Sequence, residues 1–426
     1  MDAKQLLLQA LDADKEAQIR MLQEFVRAPS PNPPGSTAAA SAVLTSYLES
    51  QGIPYQALTP QADCPNIVSD FQGGRGEGPR VVLNGHIDVF PVGDAHGWSR
   101  DPWSGDIEDG KIHGRGVVDM KSGTASLLIA YASLYHRREM LRGSVAFCAV
   151  SDEETGGKWG TRWLLEQDGR RWGGDVMLSA EPGGRSSIRF AEKGTLRLTC
   201  TVQTKGAHGA FTNISKGAVR TSAYFIKEVV EEIESMPVNM PAALLEQLEK
   251  HEVQTVANEI MGAGTHAILG RPTVNIGTIR GGLKVNMIPE ICVSELDIRL
   301  PAGLTREPVL ERMRAIISKY QETKIDLAVH EAHSNPSSFS PPDHPMVGLL
   351  AENAALVAPE SDRPRPVPIP SIGATDCKHY RYRGIPAYVY GCSPNTMAQA
   401  DECVLISDFL HVTKVHAAAT WDFLQS

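Results

Sequence analysis

The stretch Arg80-Val81-Val82-Leu83-Asn84-Gly85-His86-Ile87-Asp88 joins a short apolar run to a histidine and a carboxylate. Such a run, bounded by polar residues, is typical of a central strand that is covered on both faces of a sheet. His86 and Asp88 stand two residues apart at its carboxyl end, so their side chains point to one face. The stretch therefore predicts an α/β layer with its chemical groups at strand ends.

The same pattern recurs further along the first half of the chain. Residues 143–150 and 175–180 are two more apolar runs, and the segment 121–137, which lies between the first run and residues 143–150, predicts a helix. Acidic residues follow these runs or the loops that connect them, namely Asp119, Glu153, Glu154 and Glu181. Because the carboxyl ends of parallel strands meet at one edge of a sheet, these side chains are expected to converge there.

A cluster of one histidine and several carboxylates predicts a divalent metal site. Carboxylates held close together repel one another unless a cation neutralises them. His86 can offer a neutral ring nitrogen to the metal, while Asp88 accepts the other ring N–H and fixes the tautomer. Asp119 can bridge two cations. Of Glu153 and Glu154, one can bind metal while the other stays free to deprotonate water. This combination is that of a hydrolase.

The second half of the chain predicts a separate α+β unit. The strands and helices expected after Lys193 follow the order βαββαβ of a ferredoxin-like fold. The predicted architecture is therefore an α/β catalytic domain, with a mixed, mostly parallel sheet covered by helices, and an inserted ferredoxin-like lid. The expected boundaries are 1–192 and 334–426 for the catalytic domain and 193–333 for the lid. Residues 237–271 match neither pattern.

Composition limits the classes of function. The formal net charge of -9, from 41 basic and 50 acidic residues, argues against a nucleic-acid-binding surface. No apolar run reaches the roughly 18 to 20 residues of a membrane helix. The 7 cysteines are scattered, without C-x-x-C spacing, which favours reduced thiols in a cytoplasm. The expected partner is therefore a small-molecule substrate.

The linked motifs resemble the family of co-catalytic zinc exopeptidases and deacylases that includes acetylornithine deacetylase, succinyl-diaminopimelate desuccinylase, aminoacylase, carnosinase and carboxypeptidase G. The resemblance covers nearly the whole chain. It implies that His86, Asp119 and Glu181 hold the first metal, that Asp119 bridges and that Glu154 binds the second metal. It also implies that Glu153 is the general base and that Asp88 orients His86.

The resemblance extends to the lid and to the substrate loop. Lys205-Gly206-Ala207-His208 is similar to the segment of the lid histidine that reaches a neighbouring active site in dimers, so His208 is expected to be catalytic across subunits. Asn286, in Gly281–Pro289, and Arg299, in Asp297–Arg299, are implied to face substrate, as are Gly373 and Asp376 in Gly373-Ala374-Thr375-Asp376. A homodimer or higher homo-oligomer formed through the lid is expected.

One position departs from the family pattern. The family closes its second metal site with a histidine four residues before the glutamate of a C-terminal motif, and Ala398 stands there, before Asp401-Glu402. A methyl group cannot bind metal. The protein is a natural single-metal enzyme, or His379, Cys392 or Cys403 supplies the donor, or Ala398 is an engineered change. The expected cofactor is a divalent transition metal, manganese or zinc, with one tightly held ion per subunit.

The sequence thus predicts a metal-dependent hydrolase of a C–N bond in a small carboxylate-bearing substrate, either an amide or an exocyclic amine. The amide could be that of an N-acyl amino acid or a dipeptide. One alternative is an aminohydrolase that releases ammonia from an electron-poor aromatic amine similar to 5-nitroanthranilate, since the family includes such a member. Another is a non-catalytic relic that binds a small ligand.

Overall fold

The computed structural model describes residues 2–425 apart from 360, 362 and 364. The strands of the first part are β1 (Gln56–Gln61), β2 (Cys64–Gln72), β3 (Arg80–His86), β4 (Ile107–Glu108), β5 (Lys111–His113), β6 (Ser144–Val150), β7 (Val176–Ser179) and β8 (Ser187–Glu192). Its helices are α1 (Ala3–Ala13), α2 (Lys15–Arg27), α3 (Ala38–Ser50), α4 (Ser122–Tyr135), α5 (Thr161–Gln167) and α6 (Gly169–Gly173).

The middle part contains β9 (Gly194–Gln203), β10 (Ala207–His208), α7 (Ala218–Glu234), α8 (Ala242–Glu249), α9 (His251–Met261), α10 (Thr265–Leu269), β11 (Thr273–Gly281), β12 (Met287–Ile288), β13 (Ile291–Leu300), α11 (Arg306–Ser318) and β14 (Lys324–Val329). The last part contains β15 (Ser338–Phe339), α12 (Pro345–Val357), β16 (Val367–Ser371), α13 (Cys377–Arg381), β17 (Ala387–Val389), β18 (Cys403–Leu405) and α14 (Ile406–Phe423).

The larger sheet has nine strands in the order β1-β2-β6-β3-β7-β17-β8-β15, with β16 paired to β8. Its centre, β6-β3-β7-β17, is parallel, as the continuous apolar runs predicted. The flanking pairs β1–β2, β2–β6, β17–β8 and β8–β15 are antiparallel. The predicted α/β class with a mixed sheet is confirmed, and the parallel part is confined to its centre and to the pairing of β16 with β8.

Helices cover this sheet. Almost every side chain of α4 is buried, because the helix is apolar all round and packs between β3 and α14. Helices α1, α2 and α12 lie beside α14 and contribute to the same hydrophobic core. None of the described helices is both long and apolar enough to cross a membrane.

The smaller sheet is antiparallel, with the order β11-β13-β9-β14. Together with α7 and α11 this is the βαββαβ arrangement of a ferredoxin-like unit. Its apolar side chains form a core of their own, built from residues between 196 and 329. The chain enters it after Lys193 and leaves beside the bridge between Thr195 and Asn335. The exact domain boundaries remain a prediction.

Residues 237–271, which sequence patterns assigned to neither fold, form helices α8, α9 and α10. Leu244 of α8 is buried in the core of the larger sheet, and Gln247 Nε2 donates to the carbonyl oxygen of Pro368 at 2.7 Å. Helix α9 packs on β16. The segment therefore leaves the smaller sheet and packs against the larger one.

Candidate metal centre and substrate pocket

The predicted metal ligands stand at the carboxyl edge of the parallel strands. His86 is the last residue of β3, Glu181 follows β7 by two residues, and Glu153 and Glu154 form a helical turn after β6. Asp119 lies in the turn that leads into α4. Because β6, β3 and β7 are parallel neighbours, their ends bring these side chains to one place.

His86, Asp119 and Glu181 form a tight cluster. Nε2 of His86 lies 3.1 Å from Oδ1 of Asp119 and 3.5 Å from Oε1 of Glu181. One potential ligand atom from each side chain lies within 4.8 Å of the others. One imidazole and two carboxylates match the donor set of a zinc or manganese site. The three residues are those predicted for the first metal.

The electrostatics of the cluster also fit a divalent cation. Burial raises the pKa of Glu181 well above its usual range, and the Asp119 carboxylate adds to this rise. Burial opposes protonation of His86, but the Glu181 and Asp119 carboxylates outweigh it, and its pKa is raised well above the usual value. These shifts follow from negative charge that is crowded into a buried site. A bound cation would neutralise it.

Glu154 stands apart from this cluster, although it lines the same pocket. Its Oε1 atom is buried and has no hydrogen-bond partner among the described residues. Burial, with the Asp119 carboxylate next in effect, raises the pKa of Glu154 to about 11. A buried carboxylate without a partner is costly unless it is protonated or binds a cation. These properties suit the predicted second-metal ligand.

Ala398, at the position of the missing histidine, is exposed and has a φ of 60°. Of the substitutes considered, Cys392 is buried and Cys403 lies at the start of β18. His379 lines the pocket, and its buried Nε2 atom lies 3.7 Å from Oδ1 of Asp376 and has no hydrogen-bond partner within the described part of the chain. Burial lowers the pKa of His379 to about 3, so the ring is neutral. His379 does not join the His86 cluster.

The carboxylate of Asp88 makes contacts other than the predicted one to the His86 ring. Nδ1 of His86 lies 2.7 Å from the backbone carbonyl oxygen of Asp88 and 3.6 Å from its carboxylate. The carboxylate instead accepts from the backbone N–H groups of Glu153 and Glu154, each at 3.2 Å, and from Asn32 Nδ2 at 3.1 Å. Burial raises its pKa to about 7. The predicted hydrogen bond from the ring to the carboxylate is therefore wrong, because the carboxylate holds the glutamate turn.

Glu153, the predicted general base, has a lysine beside it. Nζ of Lys378 lies 3.8 Å from Oε1 of Glu153, and both side chains are almost fully buried. Burial raises the pKa of Glu153, and the Lys378 charge works against that rise. Burial likewise opposes the charge of Lys378, but Glu153 and Asp376 outweigh it and raise its pKa.

The loop that carries Asp119 is held by Glu402. Oε1 of Glu402 accepts from the backbone N–H groups of Val118 and Asp119 at 2.9 and 3.3 Å, and Oε2 accepts from Gly116 N–H at 3.1 Å. Arg115 Nη1 donates to Oε2 at 2.6 Å. Glu402 of the C-terminal motif therefore fixes the backbone at Asp119, a predicted metal ligand.

A pocket of about 720 Å³ opens over the cluster. Arg299 and Gly373, predicted to bind substrate, line it, and Arg299 Nη2 donates to Asp297 Oδ2 at 2.9 Å. Asp376 is buried outside this lining, where Thr161 Oγ1 donates to it at 2.7 Å. His208 and Asn286 are exposed and lie close together where β10 pairs with β12, outside the lining of this pocket.

Lys378 and Arg189 line the pocket but are absent from the site that the sequence predicted. Lys378 follows the substrate loop by two residues, and a basic side chain there was a usable signal. Arg189 is the one partly exposed residue of the otherwise buried β8. A lone arginine in an apolar run could have been noticed, although only the fold shows that it faces the metal cluster.

A family model for "Peptidase family M20/M25/M40" matches residues 82–422. A succinyl-diaminopimelate desuccinylase of Cereibacter sphaeroides (strain ATCC 17029 / ATH 2.4.9) is 28% identical over 369 residues, covering 84% of this chain and 87% of the relative. The M20 family metallo-carboxypeptidase Sso-CP2 from Sulfolobus solfataricus has a TM-score of 0.77, 18% identity and coverage of 96% of this chain and 99% of its own. Human carnosine dipeptidase 1 has a TM-score of 0.76, 18% identity and coverage of 100% of both chains.

The likeness to the two solved structures concerns the fold, and the family match includes the metal cluster, the substrate loop and the motif around Glu402. The resemblance inferred from the motifs is thereby confirmed. The chain belongs to peptidase family M20/M25/M40, whose members are metal-dependent amide hydrolases.

Proposed function

We propose that the protein hydrolyses the amide bond of a small substrate that carries a carboxylate, namely an N-acyl amino acid or a dipeptide. The observation that supports this most directly is the buried Glu153 carboxylate in the pocket that contains the Asp119 and Glu181 carboxylates and the Arg299 guanidinium. A base, a metal-binding cluster and a cation in one pocket of about 720 Å³ suit a small anionic amide.

His86, Asp119 and Glu181 would hold a divalent cation, which supplies Lewis-acid polarisation of the amide carbonyl and acidifies water. Glu153 takes a proton from water as the water oxygen adds to the amide carbon. When the C–N bond breaks, Glu153 passes this proton to the leaving nitrogen, so the products are a carboxylic acid and an amine. Lys378 keeps the Glu153 carboxylate in place, and Arg299 orients the substrate carboxylate.

The metal content belongs to the same proposal. We expect one tightly held manganese or zinc ion per subunit, because Glu154 and Asp119 alone are too few protein donors for a second ion. The cytoplasmic location expected from the thiols also remains a prediction.

Product analysis of the manganese- and zinc-loaded protein tests the proposal. N-acyl amino acids, dipeptides and anthranilate-type amines are offered separately, and free amino acid and ammonia are both measured. We expect amino-acid release, reduced by about 100-fold or more in Glu153→Gln, which keeps the shape but not the base. Ammonia release from the aromatic amines without amino-acid release would overturn the amide proposal in favour of the aminohydrolase.

The aminohydrolase alternative depends on Ala398, because loss of a metal ligand favours a changed reaction. The non-catalytic alternative is set aside, since the chain belongs to a family of hydrolases and Glu153 stands beside the metal cluster.

We further propose that the protein works as a homodimer, or a higher homo-oligomer, in which His208 completes the neighbouring subunit's pocket. Exposed apolar side chains on the smaller sheet and its loops suit such an interface: Ile279, Leu283, Val285, Met287 and Ile291. Co-expression of Glu153→Gln and His208→Ala subunits should restore activity that neither variant has alone. A monomeric mass in light scattering, or no restoration, would contradict this assembly.

A further inference from the structure

Arg189 places a positive charge next to the metal cluster. It lies on β8, paired with Ile369 of β16 and Val389 of β17, and it is the one residue of β8 that is not buried against its neighbours. Its side chain lines the same pocket as Asp119 and Glu181. A strand position of this kind fixes the side chain firmly, because both neighbouring strands hold the backbone.

The guanidinium of Arg189 makes few contacts within the protein. Nη1 donates to Ser371 Oγ at 3.5 Å, the limit of a hydrogen bond, and Nε is buried with no partner among the described residues. Glu192, three residues along the strand, is engaged elsewhere, since it lies 3.2 Å from Arg381 Nη1 and accepts from Thr375 Oγ1 at 2.6 Å. Arg189 thus has unused donors on a side chain that lines the pocket.

An arginine in this setting favours an anionic ligand. Burial lowers the pKa of Arg189, and the Glu181, Glu192 and Asp119 carboxylates act against that change. Arginine nevertheless stays charged in proteins, and a buried charge without a partner is costly. Once a divalent cation neutralises Asp119 and Glu181, Arg189 needs another counter-charge. A carboxylate of the substrate can supply it in a bidentate pair.

A second arginine faces the same pocket from the other sheet. Arg299 pairs with Asp297, which also lies 3.8 Å from Arg197 Nε, and both arginines line the pocket. Arg189 belongs to the larger sheet and Arg299 to the smaller one, so the two cations approach a ligand from different walls. Two separate cationic walls suit a substrate with two anionic groups.

We propose that Arg189 binds a substrate carboxylate different from the one that Arg299 binds, so that the enzyme selects acylated amino acids with two carboxylates. This inference rests on the proposed amidase function and adds to it a second binding subsite and the charge of the substrate. The acyl group is then the half-amide of a dicarboxylic acid, or the amino acid carries an acidic side chain.

Assays of the zinc-loaded protein with three substrates separate the two carboxylates. The substrates are an N-succinyl amino acid, the N-butyryl derivative of the same amino acid and an N-succinyl alkylamine. Arg189→Met should lower kcat/KM by about 10- to 100-fold for the doubly charged substrate and for one of the singly charged ones. Arg299→Met should affect the other singly charged substrate. Arg189→Lys should keep part of the lost activity. Equal losses on all three substrates, or no loss, would overturn the proposal.

The matched control is Arg312→Met, since the exposed Arg312 side chain also carries a positive charge but pairs with Glu232 outside this pocket. It should leave the order of preference among the three substrates unchanged. If this variant lowers kcat/KM for the doubly charged substrate as much as Arg189→Met does, the effect comes from the overall charge of the protein and the subsite is absent.

Binding of succinate gives a readout independent of turnover. Calorimetry on the zinc-loaded protein should show a Kd about 10- to 100-fold higher for Arg189→Met than for the unaltered protein, with equal zinc content and melting temperature. Failure to hydrolyse any of the three substrates would count against the proposed function alone. Equal succinate affinities in both proteins, or no succinate binding to the unaltered protein, would refute the Arg189 subsite.

Discussion

The ammonium nitrogen of Lys378 lies 3.8 Å from the Glu153 carboxylate, and both side chains are almost fully buried. At this separation the cation stabilises the charged form of the carboxylate and restricts its orientation. The Asp119 carboxylate has the opposite effect, since its charge raises the pKa of Glu153. The basicity of Glu153 therefore depends on a lysine that touches no predicted metal ligand in the described contacts.

Lys378→Met should reduce kcat and leave KM nearly unchanged. Removal of the cation raises the pKa of Glu153, so the acidic limb of the rate profile should move to higher pH. If the shift is about one unit, the rate below that limb falls about tenfold. Lys378→Arg keeps the charge and should recover most of the rate. A profile that keeps its position in Lys378→Met would show that the lysine has no such role.

Ala398→His should raise the metal content from one ion per subunit to two. The backbone of Ala398 has a φ of 60°, a region that histidine adopts more readily than most residues, so the change adds little strain. Metal is counted on purified protein after loading with zinc. Ala400→His, which adds an imidazole at an exposed position nearby, is the control and should leave the count at one. A count that stays at one in Ala398→His would show that another feature limits the second site.

Glu402→Ala should weaken both folding and metal binding. The change leaves Arg115 buried without its partner, and loss of one member of a buried pair costs about 3 to 5 kcal/mol. It also removes the acceptor for the Val118 and Asp119 N–H groups, so the zinc affinity should fall. Urea unfolding and zinc titration measure the two effects. Glu108→Ala breaks an exposed pair with Arg100 and should change neither; equal effects of the two variants would contradict the role of Glu402.

Much of the fold could be predicted because its signals are local. The apolar runs that became β3, β6 and β7 were recognised from the order of their residues. The helical pattern of 121–137 became α4. Residues 237–271 could not be placed, since Leu244 packs in the core of the other sheet and no pattern within the segment shows this.

The metal cluster was predictable for a similar reason, since His86 and Glu181 each follow a strand of a parallel set. The contact of the Asp88 carboxylate was not predictable. The sequence places Asp88 and His86 on one face, but it does not show that the backbone N–H groups of the Glu153 turn lie within hydrogen-bond distance of that carboxylate. Arg189 was missed because only the tertiary structure shows that its side chain lines the same pocket as Asp119 and Glu181.

Stability should fall in acid partly through His416. Its Nε2–H donates to the Tyr390 carbonyl oxygen at 2.7 Å, and burial lowers its pKa to about 4. The unfolded chain binds a proton near pH 6.5, whereas the folded protein does so only near pH 4. The contribution of His416 is therefore complete above pH 6.5 and is lost as the pH falls toward 4, by up to about 3 kcal/mol.

Urea unfolding of the unaltered protein and of His416→Gln, across this pH range, measures the effect. Glutamine keeps a donor for Tyr390 but does not titrate, so its stability should fall less steeply between pH 6.5 and 4. Comparison of the two proteins cancels the carboxylates of the metal cluster, whose raised pKa values act in the opposite direction. His251→Gln, at an exposed position, should keep the slope of the unaltered protein. Equal slopes for all three proteins would mean that His416 does not contribute, and the acid sensitivity would then have to come from other buried groups such as His379.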